Sequence, residues 1–113
     1  MRKIALSALV ALAACASTPP PTDQVAAARA MVGRAQPVAT EAPREYGNAQ
    51  AKLGRAEEAM QRGDYDEARA LAEEAEIDAR LALATADNAR AQRGAAEVEK
   101  AIEQLRAELR GQQ

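Results

Sequence analysis

The sequence contains no histidine, tryptophan or phenylalanine, only two tyrosines and a single cysteine, Cys15. Without histidine the chain cannot form imidazole metal sites or the Ser-His and Cys-His pairs that activate a nucleophile. The carboxylates are densest from Glu73 to Asp78, but side chains on a regular helix point in different directions and do not converge on a cation. We therefore expect no metal, no cofactor and no catalytic residue, and a protein that is not an enzyme.

Large apolar side chains are also scarce, although alanine is abundant. Alanine accounts for 31 of the 113 residues, whereas only sixteen residues after Cys15 are valine, isoleucine, leucine, methionine or tyrosine. Beyond Ala14, more than half of the chain is Ala, Glu, Lys, Leu or Arg, a composition typical of long helices and coiled coils. The composition predicts an all-α protein with alanine-rich, coiled-coil-like packing that buries little apolar area per turn.

Residues 1–14 have the pattern of a secretory signal peptide. Arg2 and Lys3 precede an apolar run from Ile4 to Leu12, which small residues follow. As a helix this run would rise only about 14 Å, less than half of a roughly 30 Å hydrocarbon core. We therefore expect the segment to direct export and then to be removed, not to remain as a transmembrane anchor.

The segment Leu12-Ala13-Ala14-Cys15 resembles the lipobox of bacterial lipoproteins. The resemblance implies cleavage between Ala14 and Cys15 and acylation of Cys15, so that the chain attaches to a membrane through its lipid. Ala16 follows where an aspartate would imply retention in the inner membrane, so we expect the periplasmic face of the outer membrane. An unpaired thiol or an intermolecular disulfide at Cys15 is the alternative.

The charge of the exported part argues against one class of partner. Removal of Arg2 and Lys3 leaves 13 basic against 17 acidic side chains, a net charge of −4. Because nucleic acids and anionic lipid headgroups attract basic surfaces, we expect no nucleic-acid partner and no charge-driven membrane binding.

Proline and glycine divide the exported chain into a tether and three helical segments. Residues 15–22 hold the lipidated cysteine and three consecutive prolines, which favour an extended polyproline II tether. Residues 23–113 form the helical domain, with helices near 23–36, 43–62 and 65–110. The expected fold is a helical hairpin or three-helix antiparallel arrangement with one long C-terminal helix.

The sequence also suggests how these helices begin and end. Thr22 or Asp23 can cap the first helix, and Asp64 with a glutamate three residues on resembles a capping box for the third. Gly63 is expected to end the second helix. Gly94 is the one residue that could interrupt the long helix before its end, and the sequence leaves continuity there open.

Two rows at helical spacing run along the long helix, nearly opposite each other. One is mostly alanine, begins at Tyr65 and suits close packing within the hairpin. The other begins at Ile77 and becomes more apolar toward the C-terminus; its Asn88 is either a solvated surface residue or a register-setting residue of a coiled coil. We expect its last residues, Val98, Ile102, Leu105 and Leu109, to form an interaction surface for a homodimer or a helix of an envelope protein. Folding back onto residues 22–36, or disorder, is the alternative.

The order of motifs resembles the bacterial envelope proteins classed as domain of unknown function 4398. The motifs are Ala42-Pro43-Arg44-Glu45-Tyr46, Ala49-Gln50-Ala51-Lys52-Leu53, Gly63-Asp64-Tyr65-Asp66-Glu67-Ala68-Arg69, Leu71-Ala72-Glu73-Glu74-Ala75 and Asp78-Ala79-Arg80-Leu81-Ala82. The resemblance covers about residues 20 to 95. It implies an all-helical periplasmic lipoprotein, often encoded near peptidoglycan-binding proteins of the outer-membrane-protein-A type, and it brings no known activity.

Anchor, tether and uncovered helix surface together predict a structural role. We expect a non-enzymatic lipoprotein that acts as a scaffold or adaptor of the cell envelope. A carrier or sensor for a lipid or another small apolar ligand is the alternative, and it would need a cavity.

Overall fold

The computed structural model describes residues 18–113, which form three α-helices. Helix α1 spans Thr22–Ala35, α2 spans Pro43–Arg62 and α3 spans Tyr65–Gly111, with a 3-10 turn at Gln36–Val38 between α1 and α2. No strand occurs among the described residues. The predicted all-α class with one long C-terminal helix is confirmed.

The three helices run up, down and up, so that α2 is antiparallel to both of its neighbours. At one end, Val25 of α1 packs in a cluster with Ala56 of α2 and Leu71 of α3. At the other end, Val32 of α1 packs with Ala49 of α2 and with a later turn of α3 that includes Ala82. The long helix thus contacts both shorter helices along its first half only.

The core is built mainly from alanine. Its valines and its one buried leucine, Leu71, stand among alanines at spacings of three and four, as the alanine-rich row predicted. The buried alanines of α3 are Ala68, Ala72, Ala75, Ala79, Ala82 and Ala86. Because an alanine side chain is short, it lets neighbouring helices approach closely but removes little apolar surface from water.

The turn between α2 and α3 depends on Gly63, as expected. Gly63 has a φ of 77°, in the left-handed region that glycine adopts without a Cβ clash. The backbone N–H of Gly63 donates to the carbonyl of Met60, and that of Asp64 donates to the carbonyl of Ala59. This pair of bonds is a Schellman motif, which satisfies the last carbonyls of α2 and reverses the chain within two residues.

The expected N-terminal side-chain caps do not form. Thr22 already lies within α1, so the N-cap position is Pro21. No side chain makes a capping hydrogen bond there. Asp64 does occupy the N-cap position of α3, but its side chain makes no capping bond either. The second member of that expected capping box, Glu67, lies instead 3.1 Å from the guanidinium of Arg62 across the turn, so an ion pair replaces the cap.

Pro21 and Thr22, which the sequence analysis assigned to the tether, belong to the helical domain. Pro21 is fully buried, and its carbonyl accepts a hydrogen bond from the backbone N–H of Val25. Thr22 lies within α1. The end of the segment assigned to residues 15–22 therefore belongs to the packed domain, because a proline carries enough apolar surface to be buried at a helix start, where it needs no N–H donor.

Helix α3 continues far beyond the other two. Its 47 residues correspond to about 70 Å, whereas the 20 residues of α2 correspond to about 30 Å. Every residue from Ala91 to Gln113 is exposed. The helix is continuous through Gly94, and its last twenty residues project from the bundle as a single helix.

The close packing of alanines predicts that added bulk will destabilise the bundle. We expect Ala79→Leu to lower the free energy of unfolding by about 1–3 kcal/mol, because Ala79 is fully buried between helices. Thermal unfolding followed by circular dichroism measures the effect. Ala70→Leu is the matched control, since Ala70 is exposed on the same helix. An unchanged or higher midpoint for Ala79→Leu would show that the seam has unfilled space.

Candidate interaction surface on the long helix

The exposed large apolar side chains share one face of α3. Six such residues occur in the described part of the chain, and each is between 42% and 64% exposed. They are Ile77, Leu81, Val98, Ile102, Leu105 and Leu109. Together with the exposed Ala84, Asn88, Ala91 and Ala95 between them, they form what we call the apolar row. The row lies nearly opposite the buried alanine face of the same helix.

The four residues that the sequence analysis selected, Val98 to Leu109, lie on this row and on the projecting part of α3. The fold therefore places them on one face, and they do not fold back onto residues 22–36. The structure also joins Ile77 and Leu81 to the same exposed face. The spacing of three and four in the sequence already predicted that Ile77 and Leu81 lie on the same row. Only the packing of α1 and α2 shows that both residues stay uncovered.

The other predicted functional residues concern the lipid anchor. Ala14, Cys15 and Ala16 lie outside the described residues. Thr18, the first residue described, lines a shallow depression together with Gly63 and Tyr65. The chain therefore enters the bundle beside the α2–α3 turn, at the end where α3 begins.

Two arginines fix α3 at the point where it leaves the bundle. Glu41, in the connection between α1 and α2, accepts hydrogen bonds from Arg90 at 2.6 Å and from Arg93 at 2.9 Å. These bonds, with Arg90 the larger influence, hold the pKa of Glu41 below its ordinary value of 4.5. The base of the projecting helix is thus tied to the bundle by a double ion pair.

A second ion-pair group joins α2 to the middle of α3. The ammonium of Lys52 lies 2.7 Å from Oδ2 of Asp78 and 3.1 Å from Oε2 of Glu74. These contacts, first that with Asp78, raise the pKa of Lys52 above its ordinary value. Two carboxylates of the acidic stretch from Glu73 to Asp78 therefore help to hold α2. Because the three side chains are partly exposed, the stabilisation is modest.

One concavity, of about 630 Å³, is open to solvent and lies among side chains of the projecting helix, including Lys100, Glu103 and Arg110. Among residues 18–113 no three histidine, cysteine, aspartate or glutamate side chains are grouped so as to hold a metal ion. None of the helices described is both long and apolar enough to span a membrane. The apolar row is therefore the feature of this part of the chain that most resembles a binding surface.

The chain belongs to the family described as domain of unknown function DUF4398, whose pattern matches residues 23–98. The match covers the whole three-helix bundle and ends at Val98, so that Ile102, Leu105 and Leu109 lie beyond it. No curated protein and no solved structure matches the chain. The family assignment agrees with the resemblance seen in the sequence and leaves the function open.

The ion pairs of Glu41 predict a pH-dependent contribution to stability. A carboxyl whose pKa is lowered by folding stabilises the fold above its ordinary pKa, and the stabilisation is lost as the pH falls through the lowered value. We expect Glu41→Gln to lower the thermal midpoint at neutral pH, and the difference from the wild type to vanish as the pH falls well below 4.5. Glu97→Gln, on the exposed projecting helix, is the control. A difference that stayed constant with pH would contradict this role of Glu41.

Proposed function

We propose that this protein is a non-enzymatic lipoprotein, anchored at the periplasmic face of the outer membrane, that acts as a scaffold or adaptor of the cell envelope. The apolar row is the observation that carries the proposal. Side chains such as Ile102 and Leu105 remain uncovered on a helix that projects from its own bundle. A continuous exposed apolar surface of this kind is characteristic of interaction sites.

The place where the chain enters the bundle supports one orientation of the protein relative to the membrane. Thr18 lies beside the α2–α3 turn, and only two residues, Ala16 and Ser17, lie between it and Cys15, so it is three positions further along the chain. Three residues span at most about 11 Å, so an acylated Cys15 would hold the turn close to the membrane. Helix α3 starts at this turn and is about 70 Å long, so its C-terminal end can reach well away from the membrane surface.

The direction in which the apolar side chains point favours an adaptor over a carrier. A carrier for a lipid would enclose its ligand among inward-facing apolar side chains. Here most of the large apolar side chains of α3 face outward in a narrow line, and the buried face is mainly closely packed alanine with one leucine, Leu71. A narrow line of apolar residues fits another helix better than it fits a small molecule. The resemblance noted above makes a peptidoglycan-binding protein of the outer-membrane-protein-A type one envelope partner to test.

The anchor is tested by Cys15→Ser and Ala16→Asp in the full chain. We expect Cys15→Ser to accumulate as an unprocessed, unacylated precursor, and Ala16→Asp to move the protein from the outer to the inner membrane. Mass spectrometry of the N-terminal peptide and membrane fractionation give the two readouts. Wild-type protein found in the soluble periplasmic fraction with Cys15 unmodified would contradict the proposed anchor.

The scaffold role is tested by the double variant Ile102→Glu with Leu105→Glu. Two carboxylates on the row should abolish the complexes that the wild type forms in detergent-solubilised envelopes, because burying them without partners is costly. The bundle should remain folded, since both residues lie beyond it. Gln104→Glu with Ala107→Glu adds the same charge to other faces of the same segment and should leave the complexes intact. Co-purification of lipid without any protein partner would instead support the carrier.

A further inference from the structure

We propose that the apolar row is the seam of a parallel, in-register, two-stranded coiled coil between two copies of this chain. The orientation of the two copies rests in part on the proposed membrane anchor, whereas the seam rests on the row alone. The surface runs from Ile77 to Leu109, and Asn88 sets its register.

The spacing along the row is a continuous heptad pattern. Steps of four and three residues alternate without a break from Ile77 to Leu109, more than four heptads, and every position is exposed. Helices that pair as coiled coils generally keep such a pattern for at least three or four heptads. The last four apolar residues alone, from Val98 to Leu109, cover less than two heptads. Only the full row, about 48 Å long, meets the length that stable pairing needs.

The side chains of the row fit a coiled coil, and Asn88 limits the number of helices. In heptad notation Leu81, Ile102 and Leu109 occupy a positions, while Ile77 and Leu105 occupy d positions. A β-branched residue at a followed by leucine at d, as in Ile102 and Leu105, favours two parallel strands, whereas leucine at a with isoleucine at d, as in Leu81 and Ile77, favours more, so the choice of two strands rests on Asn88. Large apolar layers stand at both ends of the row, and alanines lie between them. The two copies are therefore held mainly at the ends of the seam and can approach closely in the middle.

Asn88 distinguishes the possible arrangements. It is exposed and occupies an a position in the middle of the row. In a parallel in-register pair Asn88 meets its own copy, and the two amides can donate to and accept from each other. In the antiparallel pair that overlaps the whole row, Ile77 faces Leu109 and Asn88 faces Val98, which leaves the buried amide without a partner. A single asparagine at an a position is a known means of fixing register and the number of strands.

The charges beside the seam permit the parallel pair. Its flanking contacts would join Arg80 to Thr85 and Asp87 to Gln92 of the second copy, where no like charges meet. At the N-terminal end of the seam, however, Glu73 would lie near Asp78 of the second copy, which is unfavourable. The antiparallel pair would join Asp78 to an arginine of the second copy. However, Asp78 already contacts Lys52 at 2.7 Å within its own chain. Charge alone does not decide the orientation, and Asn88 is the stronger argument.

The membrane anchor adds a geometric argument for the same orientation. In the parallel pair both α2–α3 turns, and therefore both Thr18 residues, lie at one end, so two acylated Cys15 residues can insert into one membrane. In the fully overlapping antiparallel pair the two turns would be about 84 Å apart. The parallel dimer thus forms a rod whose two anchors share one end and whose seam extends away from the membrane.

The variant Leu105→Cys tests the seam in the full chain. Only a parallel in-register pair brings residue 105 of one copy next to residue 105 of the other. We expect mild oxidation of envelopes to give a disulfide-linked dimer on a non-reducing gel, at least tenfold more than Gln104→Cys gives. Gln104 is exposed on a different face of the same segment. Retention of the far-ultraviolet helical signal shows that the variant folds, since Leu105 lies outside the bundle core.

Three results would overturn the proposal. The first is no cross-link above the level of Gln104→Cys. The second is a cross-link that needs Leu81→Cys together with Leu105→Cys, because these two positions face each other in the antiparallel pair. The third is a cross-link to a different protein in place of a dimer. The wild type, whose one cysteine is Cys15, is the control that separates this test from the test of the anchor. A disulfide-linked dimer of the wild type would show that Cys15 is not acylated and would contradict the anchor. In that case Leu105→Cys would be assayed together with Cys15→Ser.

Discussion

The mismatch in length between α3 and its two partner helices governs this structure. Helices α1 and α2 can cover α3 only as far as the ion pairs between Glu41 and Arg90 and Arg93. Beyond them the helix stands alone, and in proteins most helical stability comes from the packing of an amphipathic face. The apolar row is the surface through which such packing would be gained. The covered half of the helix thus forms the bundle, and the uncovered half is the surface that we propose for interaction.

The two faces of α3 differ in composition and in contacts: the alanine seam packs within the bundle, and the apolar row is exposed. On the covered face, small side chains allow three helices to pack closely, and partly exposed ion pairs such as that between Lys52 and Asp78 align them. Neither contribution is large per residue, because alanine buries little area and solvent weakens surface charge pairs. The larger side chains of α3, apart from Leu71 and the half-buried Leu83, are kept for the outward face. In an isolated monomer this distribution leaves the apolar side chains exposed to water, whereas a second helix packed against α3 would bury them.

Much of this arrangement could be predicted from the sequence, because helices follow from local spacing. Alanines at intervals of three and four identified the buried face of α3, and Gly63 identified the turn before it. The local bonds at helix ends could not be predicted in the same way. Glu67 could either cap α3 or form an ion pair with Arg62, and the path of the turn determines which of the two contacts forms. Pro21 likewise looks like part of a tether in the sequence, and only its packing shows that it belongs to the bundle. Ile77 and Leu81 lie on the predicted row, but only the positions of α1 and α2 show that both stay exposed.

The most direct test of this account is the distance along α3 across Gly94. Spin labels would be attached at Glu73→Cys and Glu103→Cys, both exposed positions, in a protein that also carries Cys15→Ser. The distance between the two labels would be measured by pulsed electron paramagnetic resonance, with the labelled protein diluted in unlabelled chains. A continuous helix predicts one narrow distribution near 45 Å, since thirty residues rise by about 1.5 Å each. A broad distribution centred well below that distance would show a hinge at Gly94. The apolar row would then be broken into two short segments, and the account of α3 as one interaction rod would be wrong.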